Sequence, residues 1–134
     1  MRLALERFLE DELSNYRKNV YELNLLREEI IEGGPGPADG MPRGNTTSNP
    51  TESKAARLMT SNVILCLERR LKAVARVLDK YQNNPEMLRL IDLRYIKGTH
   101  TAIGVMNELH ISSKTFYRWR RELLECLATE MGYN

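Results

Sequence analysis

Hydrophobic residues near the start of the chain recur at alternating steps of four and three. The apolar members are Leu9, Leu13, Tyr16, Val20, Leu23 and Ile30. Arg27 occupies the remaining position of the pattern. This spacing places them on one stripe of a helix, as in the seam of a coiled coil. No proline or glycine interrupts the run. We therefore predict one long amphipathic helix over residues 1–32.

Residues 33–50 have a different composition. They hold five of the eight glycines and four of the five prolines, with few side chains that a core would bury. Their glycines lack the spacing of a phosphate-binding loop. We predict a flexible linker without chemistry of its own.

A second long helix is predicted over residues 51–83. Asn49 is its predicted cap, Pro50 lies in its first turn, and Glu52 completes a capping box. Its apolar stripe consists of Ile64, Leu67, Leu71, Val74, Leu78 and Tyr81. The two stripes can bury each other as an antiparallel pair or can pack against a second chain. Because a pair of helices gives a thin core, homodimerisation through these N-terminal helices is a hypothesis.

Three shorter helices are predicted in residues 84–134. Asn84 caps the first and Gly98 stops it, the second spans residues 102–109, and Ser112 caps the third. The predicted fold class is therefore all-α. A long N-terminal helical hairpin or coiled-coil arm precedes a C-terminal three-helix helix-turn-helix unit.

The second and third of these helices are separated by a tight turn. Ile103, Met106 and Leu109 are spaced for one buried face, and Ile111 is placed to fill the angle between the helices. His110 stands where many turns of this kind carry glycine, because the position favours a positive φ.

The last helix has an apolar face and a basic face. Phe116, Trp119, Leu123 and Leu127 are predicted to face the core, whereas residues 112–121 contain four bases and no acid. The start of such a helix enters the major groove of DNA, where arginine, lysine, serine and threonine contact bases or phosphates. Threonines at the start of the preceding helix are expected to bind a phosphate. The predicted DNA contacts are Thr99, Thr101, Ser112, Ser113, Lys114, Thr115, Tyr117, Arg118, Arg120 and Arg121.

The charge distribution also indicates that the C-terminal part of the chain binds the nucleic acid. The net charge is only +2, but residues 1–32 carry five bases and eight acids. Residues 51–134 carry fourteen bases and nine acids. The basic excess therefore lies where a polyanion would dock.

Other function classes find little support in the sequence. Cys66 and Cys126 lie far apart without a CxxC pair, so we predict free, buried thiols. Neither they nor His100 and His110 have the spacing of a zinc site or a catalytic centre, and we expect no enzyme activity, metal or cofactor. No apolar run is long enough to span a membrane, and the N-terminus does not read as a signal peptide. A cytoplasmic location is expected.

The chain resembles the RinA-type phage transcriptional activators, which control late genes of temperate phages. The likeness covers nearly the whole chain and rests on five stretches. They are Leu9-Glu10-Asp11-Glu12-Leu13, Leu26 to Ile31, the glycine-rich loop into Thr51-Glu52, His110-Ile111-Ser112 with Thr115 and Arg118, and Leu127 to Gly132.

The resemblance implies a helix-turn-helix similar to region 4 of sigma factors and activation of the phage packaging and structural-gene promoter. Contact with RNA polymerase is a further hypothesis, which the sequence leaves open. It implies DNA-reading positions at Ser113, Lys114, Thr115, Tyr117 and Arg118. The chain carries Phe116, Tyr117 and Trp119 where some relatives have smaller or aliphatic residues. The DNA target sequence of those activators is therefore not transferred to this chain.

Two further readings stay open. The first is a small subunit of a phage DNA-packaging terminase, although those proteins more often place the DNA-binding unit before the oligomerising helices. The second is a helical adaptor whose basic face is incidental. Salt-dependent DNA binding separates the adaptor from both DNA-binding readings.

Overall fold

The computed structural model describes residues 2–32 and 50–133, with side chains at residues 2–30 and 56–133. Every regular element in these ranges is helical, which confirms the all-α class. The predicted linker up to residue 49, the cap Asn49 and the side chain of Glu52 lie outside the described residues. The helices are α1 (Leu3–Ser14), α2 (Tyr16–Glu32), α3 (Pro50–Lys80), α4 (Pro85–Ile91), α5 (Ala102–Leu109) and α6 (Ser113–Met131).

The predicted first helix is divided at Asn15, so the expectation of one continuous helix was wrong there. Asn15 has φ −96° and ψ 10°, outside regular helical geometry. Backbone hydrogen bonds still join Asn15 to Asp11 and Asn19 to Asn15, each at 2.8 Å. The break allows the two halves to pack against different neighbours. Helix α1 packs mainly against the turn after α4 and against α6, whereas α2 packs against α3.

Helices α2 and α3 bury their predicted stripes against each other. Leu23 of α2 packs with Ile64, Leu67 and Leu71 of α3 in a small apolar cluster. Arg27, the one charged residue on the predicted stripe, lies at the edge of this cluster, where its Nη2 is 2.7 Å from Glu68 Oε1. Ile30, predicted on the same stripe, is 39% exposed, because the cluster ends before the tip of the pair.

The main core is shared by α1 and the C-terminal helices. Leu9 and Leu13 of α1 are fully buried together with Val74 and Val77 of α3. The same cluster contains Met87, Leu90, Ile91, Tyr95, Val105, Phe116, Leu123, Leu124, Leu127 and Ala128. Helix α1 therefore supports the C-terminal unit directly, and residues 84–134 take part of their core from outside that range.

Helix α4 begins as the sequence indicates. Asn84 Oδ1 accepts a hydrogen bond from the backbone N–H of Met87 at 3.2 Å, and Pro85 lies in the first turn. The helix continues as a wider π-helical turn over Asp92–Ile96. Gly98 ends it with φ +65°. This wider turn carries the buried Tyr95, whose hydroxyl faces α1.

Candidate nucleic-acid interface

Helix α5 has the predicted bounds and buries only part of the predicted face. Thr101 caps it, because Thr101 Oγ1 accepts a hydrogen bond from the backbone N–H of Gly104 at 3.1 Å. Val105 is fully buried, whereas Ile103 is 68% exposed, so its predicted burial was wrong. Steps of three drift around a helix that has 3.6 residues per turn. Met106 and Leu109 pack against the core as predicted, together with Ala102 and Val105.

The turn between α5 and α6 has the backbone geometry expected from the sequence. His110 adopts the left-handed conformation with φ 56° and ψ 47°. The N–H of Ile111 then donates to the carbonyl of Met106 at 3.0 Å. The Ile111 side chain packs against the main core, as predicted. Ser112 caps α6, because its Oγ accepts a hydrogen bond from the N–H of Thr115 at 3.1 Å.

Core contacts hold the inner face of α6. Phe116, Leu123 and Leu127 are at most 1% exposed, and Trp119 is half-buried against the same cluster. Leu124 and Ala128 are also buried, although they were not predicted to be. With this side fixed, the opposite side of the first turns of α6 faces outward.

A basic stripe runs along the outer side of α6. We define it by Lys114, Tyr117, Arg118 and Arg121, which follow one another at helical spacing and are all exposed. Within the described parts of the chain, none of its three bases forms an ion pair. Their charge is therefore available to an anionic partner. Tyr117 lies edge-on against Phe116, with ring centroids 5.1 Å apart, so its orientation is coupled to the core.

Ser113 is exposed beside this stripe, whereas the other predicted hydroxyl contacts are engaged in local structure. Ser112 Oγ donates to Thr115 Oγ1 at 3.1 Å in addition to its capping bond. Thr99 Oγ1 lies 2.8 Å from Nδ1 of His100 at the start of α5. Thr99, Thr101 and Ser112 stay exposed, so a phosphate oxygen can still reach these helix N-termini.

Arg120 lies apart from the basic stripe. Its Nε and Nη2 donate to the two carboxylate oxygens of Glu10 in α1, at 3.1 and 2.9 Å. The hydroxyl of Tyr95 donates to the same carboxylate at 2.7 Å, and Glu6 lies 3.9 Å from Arg120. Arg120 thus joins α6 to α1, and we remove it from the set of DNA contacts. The sequence contained a signal for this inward position that was missed. Arg120 lies four residues after Phe116 and seven before Leu127, which places it on the apolar stripe of α6.

The electrostatics of this cluster agree with its geometry. Burial raises the pKa of Glu10, but hydrogen bonds from Arg120 and Tyr95 outweigh it and hold the pKa below its ordinary value. Burial and the hydrogen bond to Glu10 raise the pKa of Tyr95. The hydrogen bond to Glu10 likewise raises the pKa of Arg120. Glu10 and Arg120 are therefore held as an ion pair at neutral pH.

The structure also bears on the cysteines, on metal binding and on membrane spans. Both cysteines are free, but Cys66 is exposed, so its predicted burial was wrong. Cys126 is half-buried, and burial raises the pKa of its thiol. No cluster of three or more metal-ligating side chains occurs among the described residues. None of the helices described is both long and apolar enough to cross a membrane.

No family model matches the chain, and neither a curated protein nor a solved structure matches it significantly.

Proposed function

We propose that this protein is a sequence-specific DNA-binding activator of phage late genes, of the RinA type, in which α5 and α6 form a helix-turn-helix. The observation that carries the proposal is the basic stripe of α6. It is free of acids, its bases are unpaired within the described structure, and it is exposed because Phe116 and Leu123 are buried on the other side of α6. A helix-turn-helix at the C-terminal end of the chain is the arrangement that the resemblance implies.

The dimensions of α6 suit the major groove of DNA. The ten residues from Ser112 to Arg121 extend about 15 Å, and the groove is about 12 Å wide. Lys114 and Arg118 lie one turn apart, so both can approach neighbouring base pairs. Arginine forms two parallel hydrogen bonds with guanine, whereas lysine binds either a base or a phosphate. Arg118 is therefore the candidate for sequence reading.

Backbone phosphates have a second candidate site at the start of α5. Thr99 and Thr101 are exposed there, next to backbone N–H groups that the first helical turn leaves without partners. A phosphate bound at this point would fix the position of α5 across the DNA backbone. In helix-turn-helix proteins the first helix has this positioning role and the second reads the bases.

Fluorescence anisotropy with a late-promoter fragment tests the proposal. We expect Arg118→Ala to weaken specific binding by about 1 to 3 kcal/mol, as for a base contact. Arg17→Ala is the matched control, since Arg17 is an exposed base of α2 outside the stripe. The proposed reading face would be refuted if Lys114→Ala and Arg118→Ala together changed binding no more than Arg17→Ala.

Salt dependence and footprinting extend the test from binding to activation. Each lost phosphate contact is expected to reduce the slope of log K against log salt by about 0.9. Lys114→Ala should show this reduction for specific and non-specific DNA alike. Footprinting of the promoter region with and without RNA polymerase then tests activation, because an activator that contacts polymerase should extend or strengthen the polymerase footprint.

A further inference from the structure

Helices α2 and α3 leave apolar side chains exposed on both sides of the stripe that they share. On the first side, which we call the groove side, are Met59, Val63 and Cys66 of α3. Met59 is 68% and Val63 52% exposed. The opposite side carries Tyr21, Leu58 and Leu65, each at least 50% exposed. Clustered apolar surface of this kind marks a contact with another protein.

The groove side is concave. A cleft of about 300 Å³ runs between α2 and α3, with Glu22, Val63, Cys66 and Arg70 on its walls and Leu67 of the buried cluster also in contact with it. Cys66 and Arg70 also line a larger cleft of about 640 Å³ that continues toward the end of α6. The groove side therefore offers a partner helix a recessed surface, with Val63, Cys66 and Leu67 as its apolar part and Glu22, Asn62 and Arg70 as its polar part.

The opposite side is less suited to an apolar contact. The ion pair between Arg27 and Glu68, at 2.7 Å, joins α2 and α3 on that side, next to Leu65. A partner packed there would remove this pair from water, at a cost that its mutual attraction rarely repays in full. On the groove side, no ion pair joins α2 to α3 among the described residues. Arg70 of α3 pairs there with Glu12 of α1 at 3.5 Å, but the Glu12 side chain is only 9% exposed, so a partner would remove little further water from that carboxylate.

Charge indicates which partner fits the groove side. Helix α2 contributes Glu22 there, and α3 contributes Arg70 with Arg69 at the rim. Arg70 also lies 3.5 Å from Glu12 of α1, whereas Arg69 has no ion pair among the described residues. A second copy related by a twofold axis along the arm would place each α2 over the other copy's α3. Glu22 of each copy would then face Arg69 and Arg70 of the other copy, so this attraction would occur twice. The antiparallel alternative would place α2 over α2 and acids over acids.

We propose that the groove side binds a second copy of this chain, so that two α2–α3 pairs form a four-helix bundle with both α6 helices at the same end. Such an interface is isologous, so each favourable contact occurs twice. Two apolar faces that are exposed in the single chain would become the centre of the bundle.

Sedimentation equilibrium of the full chain, compared between two matched substitutions, tests this assignment. Val63 and Leu65 lie two residues apart in α3 and are 52% and 50% exposed. We expect Val63→Glu to weaken dimerisation by at least about tenfold, which corresponds to about 1.4 kcal/mol for a carboxylate in an apolar contact. Leu65→Glu should leave dimerisation unchanged. Met59→Glu is a second groove-side variant if Val63→Glu loses its helical circular dichroism.

The native thiol at Cys66 gives an independent readout. In a Cys126→Ser background, we expect the alkylation rate of Cys66 to fall as protein concentration rises through the dimerisation range. Val63→Glu should abolish that dependence. The proposal is overturned by a chain that stays monomeric at high micromolar concentration. It is also overturned by dimers that resist both groove-side substitutions, or by dimers that Leu65→Glu disrupts instead. DNA binding by a monomer would leave the proposed function intact while refuting this interface.

Discussion

The cluster of Glu10, Arg120 and Tyr95 joins α1 to the helix proposed to read DNA, and its removal should destabilise the whole C-terminal unit. Glu10→Ala would leave two donors without their acceptor, the guanidinium of Arg120 and the hydroxyl of Tyr95. Tyr95 is 2% exposed, so water cannot easily replace the lost bond. The structure therefore predicts a larger effect than a surface ion pair would give.

The magnitude follows from the three hydrogen bonds. A net hydrogen bond to a charged group contributes about 1.5 to 3 kcal/mol when it is buried. The side chains of Glu10 and Arg120 are 22% and 21% exposed, which weakens each bond. We expect Glu10→Ala to lower the free energy of unfolding by about 2 to 4 kcal/mol. Arg120→Ala should cost less, because Tyr95 still donates to Glu10.

Chemical denaturation followed by fluorescence is a suitable assay, since Trp119 is the chain's single tryptophan and packs against the core. A double-mutant cycle of Glu10→Ala and Arg120→Ala should give a coupling energy of about 1 to 3 kcal/mol. Glu6→Ala serves as the control, because Glu6 lies 3.9 Å from Arg120 and accepts no described hydrogen bond from it. A coupling energy near zero, or an equal loss in Glu6→Ala, would refute the reasoning.

Three further predictions concern pH, the core and the turn. The pKa of Glu10 lies below its unfolded value, so its contribution to stability is present above about pH 4.5 and lost as pH falls through the folded pKa. Burial raises the pKa of Glu12, and Arg70 only partly offsets this effect. In denaturation titrations, Glu12→Gln should therefore increase the free energy of unfolding at neutral pH and lose that advantage in acid. Glu10→Gln should show the opposite trend. Phe116→Ala should lower the free energy of unfolding by about 3 to 5 kcal/mol, because Phe116 is 1% exposed, and an unchanged melting temperature would contradict its place in the core. His110→Val should destabilise by about 1 to 2 kcal/mol at a φ of 56° while His110→Gly stays close to wild type, and equal melting temperatures for the two variants would argue against the left-handed turn.

Helix starts were predictable because their causes are local. Asn84 and Ser112 cap α4 and α6 through hydrogen bonds that span three residues, so neighbouring sequence suffices to place them. The positive φ at His110 follows in the same way from the tight turn between two apolar-faced helices. These predictions were confirmed because the hydrogen bonds and backbone angles involved depend on residues close in sequence.

The facing of individual side chains was less predictable. Ile103 fits a three-residue spacing, yet the neighbours of α5 bury Val105 and leave Ile103 in solvent. Cys66 follows a leucine in a helical pattern, yet it lies on a side of α3 that no described residue covers. The break at Asn15 has no proline or glycine to announce it. Each outcome depends on which element packs alongside, and sequence periodicity does not specify that neighbour.

The sequence by itself determined the helical class, the caps of α4 and α6 and the acid-free basic segment at the start of α6. Hydrogen-bonding and charge patterns within a few residues set all of these. Only the tertiary structure decided that α1 packs against α6, that Arg120 turns inward to Glu10, and that Lys114, Arg118 and Arg121 remain unpaired in the described chain. The physical reason is that Glu10 and Arg120 are 110 residues apart. Their pairing depends on how the whole core closes, and no local pattern encodes it.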